Sequence, residues 1–297
     1  MTALSHAAGG LVTARLEEFA RRIRVEIVRT VYRAGAGHMG GSLSEADLLA
    51  ALYFHVMRIR PAEPEWPERD RFVLSKGHAS LGLYATLALR GYFPVEELAT
   101  FDSLGSRLQG HPDMTRLPGL DMSTGSLGMG ISAAVGIALG NRLQDRSART
   151  YVLVGDGESQ EGEVWEAAFV AARYGLDNLA VIVDHNRLQQ YGWQGASADD
   201  RLSPESPGEL VAKWKAFGWR VIEIDGHDLR QIVDAFEHAA SCDGRPVAVI
   251  ANTVKGRGVS FAEGRYVWHM RVPTAEEFAI AMAELREPVD KDGEAER

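Results

Sequence analysis

The sequence predicts an α/β protein, a doubly wound, mostly parallel sheet flanked by helices. Two short, β-branched apolar runs, Tyr151–Val154 and Leu179–Val183, read as strands buried on both faces. Between them, Glu158 to Tyr174 has helical patterning, with Val164, Ala168 and Ala171 on one side and acids crowding its first turn. Gly175 stands where a C-terminal helix cap belongs. A strand–helix–strand unit of this kind makes the two strands parallel neighbours joined by a right-handed crossover.

The remaining elements follow in order. Residues 1–12 are small and weakly patterned, the pattern of a loose terminus. From Thr13 to Arg33, Leu16, Phe19, Ile23, Ile27 and Val31 recur at helical spacing, a scaffold or interface helix. Gly35–Gly41 is a flexible stretch enclosing His38, and Ser44 with Asp47 fits a capping box for a helix running to about Met57. Residues 60–70, rich in proline and charge, form a loop. Arg71–Leu74 is a strand, with Ser75-Lys76-Gly77-His78 at its carboxyl end and a helix through Arg90 that Gly91 caps. Glycines 125, 128, 130, 136 and 140, with alanines between them, allow another backbone to approach closely. After Trp193 a polar loop runs to Gly208. A helix at 209–217 then stops at Gly218. Trp219–Ile224 and Pro246–Ala251 are strands. The first ends in Asp225-Gly226-His227-Asp228, whose histidine fixes the turn, and the second leads into the glycine-basic loop Thr253–Gly258. Thr274 with Glu277 opens a last helix to Arg286, so 13–286 forms one domain, and the charged residues 287–297 are a disordered tail.

Composition narrows the function. With 297 residues the chain can bury a large core, and its hydrophobic (45%) and charged (25%) content is that of an ordinary globular protein. A net charge of −9 argues against a broad nucleic-acid footprint. A single cysteine, Cys242, leaves no intrachain disulfide and no cysteine-built zinc site. No signal peptide and no apolar run of membrane-spanning length is visible, so a cytoplasmic setting is expected.

Candidate chemistry collects at strand ends. Asp156, in Gly155-Asp156-Gly157, and Asn186 both lie just past the carboxyl ends of adjacent parallel strands, where open α/β sheets bind ligands. One offers an anionic oxygen and the other a neutral one, a pair suited to Mg2+ or Ca2+ bridged to a diphosphate. The flanking glycines let backbone N–H groups reach phosphate oxygens beside a helix N-terminus. A bland reading makes Asp156 a helix cap and Asn186 a loop residue, but two oxygen ligands placed together by the fold favour the cation site. Gly155-Asp156-Gly157 lacks the third glycine of a nicotinamide-binding turn. His78 can donate to a phosphate oxygen, while Lys76 either adds a charge there or is exposed to solvent.

Several segments, in matching order from about His38 to His269, resemble the transketolase family: LSKGHAS (74–80), GHPD (110–113), STGSLGMGIS (123–132), GDGESQEG (155–162) and DGHD (225–228). Gly-Asp-Gly followed about thirty residues later by Asn is similar to the thiamine diphosphate signature. The resemblance implies the diphosphate-binding fold of that family, called the PP domain, and a Mg2+ (or Ca2+) ion held by Asp156, Asn186 and the Leu188 carbonyl. It further implies that His78, Gly157, Asn186 and His269 hold the diphosphate, and that Gly125, Ser126 and Leu127 hold the pyrimidine side. His38, His111 and His269 would face the substrate as catalytic groups, with Glu161 in a proton relay near a subunit contact. Met129, Arg187 and Met270 depart from the family pattern, which commonly has Gln at the first position, a smaller residue at the second and Gly at the third.

Chemistry with this coenzyme requires a glutamate bonded to its aminopyrimidine, which the family carries on a second, pyrimidine-binding domain. The resemblance is therefore to the amino-terminal subunit of a split transketolase, incomplete by itself. It implies a partner chain carrying that glutamate in an α2β2 assembly, with transfer of a two-carbon ketol unit between sugars or sugar phosphates. The alternatives are another thiamine enzyme, such as a deoxyxylulose-phosphate synthase, and a non-catalytic regulatory subunit. The LSKGHAS and GHPD segments disfavour a 2-oxo acid dehydrogenase, and the retained histidine and metal positions disfavour the regulatory reading.

Overall fold

The computed structural model describes residues 3–190, 207–242 and 244–285. Five strands, Arg71–Leu74 (β1), Thr150–Gly155 (β2), Leu179–His185 (β3), Arg220–Asp225 (β4) and Val247–Asn252 (β5), make one sheet in the order β1-β2-β3-β5-β4. Every neighbouring pair is parallel. All five carboxyl ends therefore open on the same edge, with Gly155 level with Asp184, Ala251 and Ile224. The loop expected between Trp193 and Gly208 and the tail at 287–297 fall on or run into residues outside the described ones.

Side-chain alternation splits the core into two layers. Phe72, Tyr151, Leu153, Ile182 and Val249 point into a core shared with the helices Ala3–Ala34 (α1), Ala46–Ala51 (α3), Ser80–Arg90 (α4), Leu229–Ser241 (α8) and Ala275–Glu284 (α9). Val73, Val152, Val154, Val181, Val183 and Ile250 point the other way, against Met129–Leu143 (α5), Gly162–Arg173 (α6) and Pro207–Ala216 (α7). Strands covered on both faces read as unbroken apolar runs, and β3 is buried along its whole length. Among the described residues no helix is long and apolar enough to cross a membrane.

Three local expectations are corrected. Helix α1 starts at Ala3, inside the stretch read as a loose terminus, because alanines and leucine there favour helix over an irregular chain. Ser44 is no cap. It ends the short buried helix Met39–Ser44 (α2), and its hydroxyl donates to Gly41 O and Asp184 Oδ2 instead. The second half of the expected box, Asp47, accepts both Arg24 amines (3.0 and 2.5 Å) and lies 2.7 Å from His227 Nδ1, so buried ion pairing outcompetes local capping. The helix expected from Glu158 divides into a 3₁₀ turn, Glu158–Gln160, and α6, because the Glu158 carboxylate turns back to accept the Gly155 N–H at 3.0 Å. The capping box of Thr274 and Glu277 is present as read, as is the left-handed Gly91 after α4.

Two glycines of α5 differ in what surrounds them. A Cβ at Gly130 would lie 2.6 Å from the Ser75 Cα, whereas one at Gly136 meets nothing within 4 Å. Gly130→Ala should lower the unfolding free energy by about 1–3 kcal/mol, since backbone must move. Gly136→Ala should raise it by about 0.5–1 kcal/mol through helix propensity. Urea titrations followed by circular dichroism check both signs.

Candidate active site

A cavity of about 360 Å³ opens at the carboxyl edge of the sheet, walled by the turns after β1, β2 and β3, by α2 and by the loop after β5. Its floor is made of oxygen donors. Asp156 Oδ1 accepts the Gly157 N–H at 2.7 Å, and Oδ2 accepts the Arg187 N–H at 2.5 Å. Arg187 has a left-handed backbone (φ 63°), which turns that N–H toward Asp156. Asn186 Oδ1 accepts the Leu188 N–H at 3.1 Å, so three consecutive residues lace the two strand ends together. Burial and the neighbouring Asp184 push the Asp156 carboxyl up to about 6.

Lys255 supplies one charge. Its ammonium sits 3.0 Å from the carbonyls of Leu188 and Gln189 and 3.0 Å from His269 Nδ1. Burial lowers it to about 8, against the pull of Asp156. The carbonyl set that the resemblance gives to a metal thus already attracts a positive group. Among the described residues no three His, Cys, Asp or Glu side chains converge as a metal cage. A carboxylate, an amide and a carbonyl remain, a hard oxygen set that fits Mg2+ or Ca2+ completed by phosphate and water.

Above this floor the imidazoles of His38, His78 and His269 lie 5.1–5.2 Å apart, centre to centre, and His111 lies 6.4 Å from His38. Burial lowers all three clustered rings. His111 and Lys255 add to this for His38, Lys76 and His269 for His78, and Lys255 and His38 for His269, which falls to about 3. Each ring is therefore neutral near pH 7, with one donor and one acceptor nitrogen.

His38, His78, Gly125, Leu127, Asp156, Gly157, Asn186, Leu188 and His269 all line this cavity. His111 lies at its rim, its ring against Gly125, where an added Cβ would sit 3.0 Å from His111 Cδ2. Ser126 is exposed beside it, and Glu161 is an exposed residue at the start of α6, outside the cavity wall. Lys76 is not exposed to solvent: it is buried at the cavity wall, where its ammonium meets Gly41 O (3.0 Å), Asp184 Oδ2 (2.5 Å) and Glu45 Oε2 (2.8 Å). The sequence reading missed Lys255, visible only as part of a glycine-basic loop. It also missed Glu158, whose Oε1 accepts Ser75 Oγ (2.6 Å) and the Gly128 N–H (2.8 Å) and so ties the glycine-rich segment to the sheet. His227 fixes its turn as read, taking the Val254 N–H on Nε2 at 2.8 Å.

Oxygen ligands past the ends of β2 and β3 and neutral imidazoles thus meet at the open edge of a parallel sheet, where such sheets bind ligands. Residues 16–285 match the family model described as transketolase, thiamine diphosphate binding domain. The chain belongs to the transketolase family. It is 47% identical over 270 residues to one subunit of the 6-deoxy-6-sulfo-D-fructose transketolase of Clostridium sp. (strain MSTE9), covering 91% of this chain and 96% of that relative. It is 42% identical over 276 residues to one subunit of the apulose-4-phosphate transketolase of Phocaeicola vulgatus, covering 93% and 95%. Transketolase from Campylobacter jejuni superposes with a TM-score of 0.82 at 32% identity, covering 92% of this chain and 43% of that one. A Pichia stipitis transketolase in complex with sedoheptulose-7-phosphate superposes at 0.83 and 32% identity, covering 92% and 41%. The chain thus spans nearly all of the relatives named as subunits and about two fifths of the solved transketolases.

Beside the cavity, burial pushes the Glu45 carboxyl up to about 8 despite Lys76. An unfolded chain loses that proton near 4.5. Between these values the fold binds a proton that the unfolded state lacks, so stability from this group is full below about 4.5 and is lost as pH rises through about 8. Glu45→Gln removes the dependence. The unfolding free energy of Glu45→Gln relative to the parent should rise from pH 5 to pH 8, by at most about 1.4 kcal/mol per unit. Parallel pH curves in chemical denaturation would refute the assignment.

Proposed function

We propose that this chain is the amino-terminal, diphosphate-binding subunit of a two-chain transketolase. It would move a two-carbon ketol unit from a ketose or its phosphate to an aldose or its phosphate, using thiamine diphosphate with Mg2+ or Ca2+. One observation carries the reading: the oxygen set of Asp156, Asn186 and Leu188 shares a single cavity with the cluster of His38, His78 and His269.

When bound, thiamine diphosphate supplies the electron sink that cleavage beside a carbonyl requires. The chain's own groups bind and orient it. Asp156, Asn186 and the Leu188 carbonyl would hold the cation, and Gly157, His78, Lys255 and His269 would meet the diphosphate. Gly125, Ser126 and Leu127 would face the pyrimidine side. His38, His111 and His269 would polarise sugar oxygens and move protons, a role for which the uncharged imidazoles of His38 and His269 are suited. Glu161, the N-cap residue of α6 and outside the cavity wall, would serve a proton relay toward a neighbouring site.

A partner chain follows from the same reading. Leu127 at the cavity and the nearby Met129, Val267 and Met270 are exposed apolar side chains, and an apolar rim suits burial by a second protein surface. The subunit names of two relatives support the pairing. The partner would be the pyrimidine-domain chain with its glutamate, in an α2β2 assembly, and the setting cytoplasmic.

The test is reconstitution. The chain alone should transfer no ketol unit above background, and the chain with its partner should do so only with thiamine diphosphate and a divalent ion. Normal transfer by the isolated chain would refute the two-chain reading. In the assembled pair, Asp156→Ala should raise the dissociation constant of the coenzyme–Mg2+ complex by about tenfold or more. His269→Ala should lower kcat by about 10²–10⁴.

A further inference from the structure

Asp184, the next-to-last residue of β3, has no exposed surface and gathers donors from four segments. Its Oδ2 accepts Ser44 Oγ at 2.7 Å, Lys76 Nζ at 2.5 Å and Asn186 Nδ2 at 3.2 Å, and its Oδ1 accepts the Thr253 hydroxyl. Its main-chain carbonyl accepts the Asp156 N–H at 3.3 Å. Burial disfavours the carboxylate, but the Lys76 charge and the donated hydrogen bonds outweigh burial and keep it ionised.

The bond to Asn186 decides which way that amide faces. An asparagine presents an oxygen on one side and an NH2 on the other, and a half-turn exchanges them. Turned the wrong way, Asn186 would set its oxygen against the Asp184 carboxylate and offer hydrogens to a cation. With Nδ2 committed to Asp184, Oδ1 faces the cavity and the Leu188 N–H. Lys76 contributes indirectly, since all three of its hydrogens go to protein acceptors. It neutralises Asp184 and draws in Gly41, a residue of the cavity wall. Glu45 Oε2 lies 2.8 Å from the Lys76 ammonium, a second oxygen acceptor beside Asp184.

We infer that Asp184, anchored by Lys76, is a positioning residue that fixes Asn186 as an oxygen donor and thereby sets the affinity of the site for its divalent cation. The inference rests on reading the cavity as a cation–diphosphate site.

The experiment is a binding titration of the full chain assembled with its partner, at fixed thiamine diphosphate. MgCl2 is titrated by calorimetry and MnCl2 by the electron paramagnetic resonance signal of the free ion. Asp184→Ala should weaken cation binding about 10–100-fold, as loss of a partner that orients a ligand does. Asp184→Asn, whose amide oxygen can still accept from Asn186, should recover most of it. Ser44→Ala and Thr253→Val, which cut hub bonds that do not touch Asn186, should lower Tm and leave cation affinity nearly unchanged. If Asp184→Ala fails to fold, the double variant Lys76→Met with Asp184→Ala removes both charges and should show the same weakened binding. Parental affinity in Asp184→Ala or the double variant, or equal weakening in Ser44→Ala and Thr253→Val, overturns the positioning role. A parental assembly that takes up neither coenzyme nor cation would instead refute the functional reading.

Discussion

The ammonium of Lys76 meets the carboxylate of Asp184 at 2.5 Å, and neither side chain is more than 3% exposed. Removing two charges from water costs several kcal/mol each, so such a pair persists only when its remaining hydrogen-bonding capacity is filled. Here Gly41, Glu45, Ser44, Asn186 and Thr253 fill it. These residues come from α2 and its C-cap and from the turns after β3 and β5, while Lys76 itself lies in the turn after β1. Four segments distant in sequence are thereby fixed relative to one another at the one edge where all the strands finish.

The charge pattern inside the cavity follows from the same economy. Lys76 and Lys255 both line the cavity: Lys76 is paired with Asp184 and Glu45, while Lys255 rests on carbonyls and an imidazole. That positive charge, together with burial, keeps His38 and His269 unprotonated. Anionic ligand oxygens and neutral proton-transfer groups thus find their complements a few ångströms apart, an arrangement that one side chain of each charge type could not provide.

Much of the fold was legible because it is written locally. The strands at 71–74, 151–154 and 179–183 are unbroken apolar runs, and the turns that end them carry Gly-Asp-Gly, Lys-Gly-His and Asp-His-Asn. Parallel pairing then places Asp156 and Asn186 side by side without further information. What local pattern could not disclose is partner choice across long separations. Ser44 and Asp47 have the spacing of a capping box, yet Asp184 and Arg24 claim them from 140 and 23 residues away. Lys76 reads as a surface or ligand-binding lysine for the same reason, as its acceptors lie on two other segments, α2 with its end and β3. Lys255 was hidden in a loop whose glycines drew attention to backbone and not to the side chain. Strand order was illegible as well, since nothing in Arg220–Asp225 marks it as an edge.

That strand order has a kinetic side. β5 lies between β3 and β4, yet it is made last of the five. Until Val247–Asn252 emerges, β3, buried along its whole length in the finished sheet, has an unpaired edge, and β4 has no neighbour in the sheet. Vectorial assembly during synthesis therefore stops at three strands. Completion waits on a long-range insertion of the kind that slows folding and exposes sticky edges while it is pending. The interval in which the nascent chain most needs shielding from its neighbours is thus dictated by topology, in the span between the end of β3 and the arrival of β5.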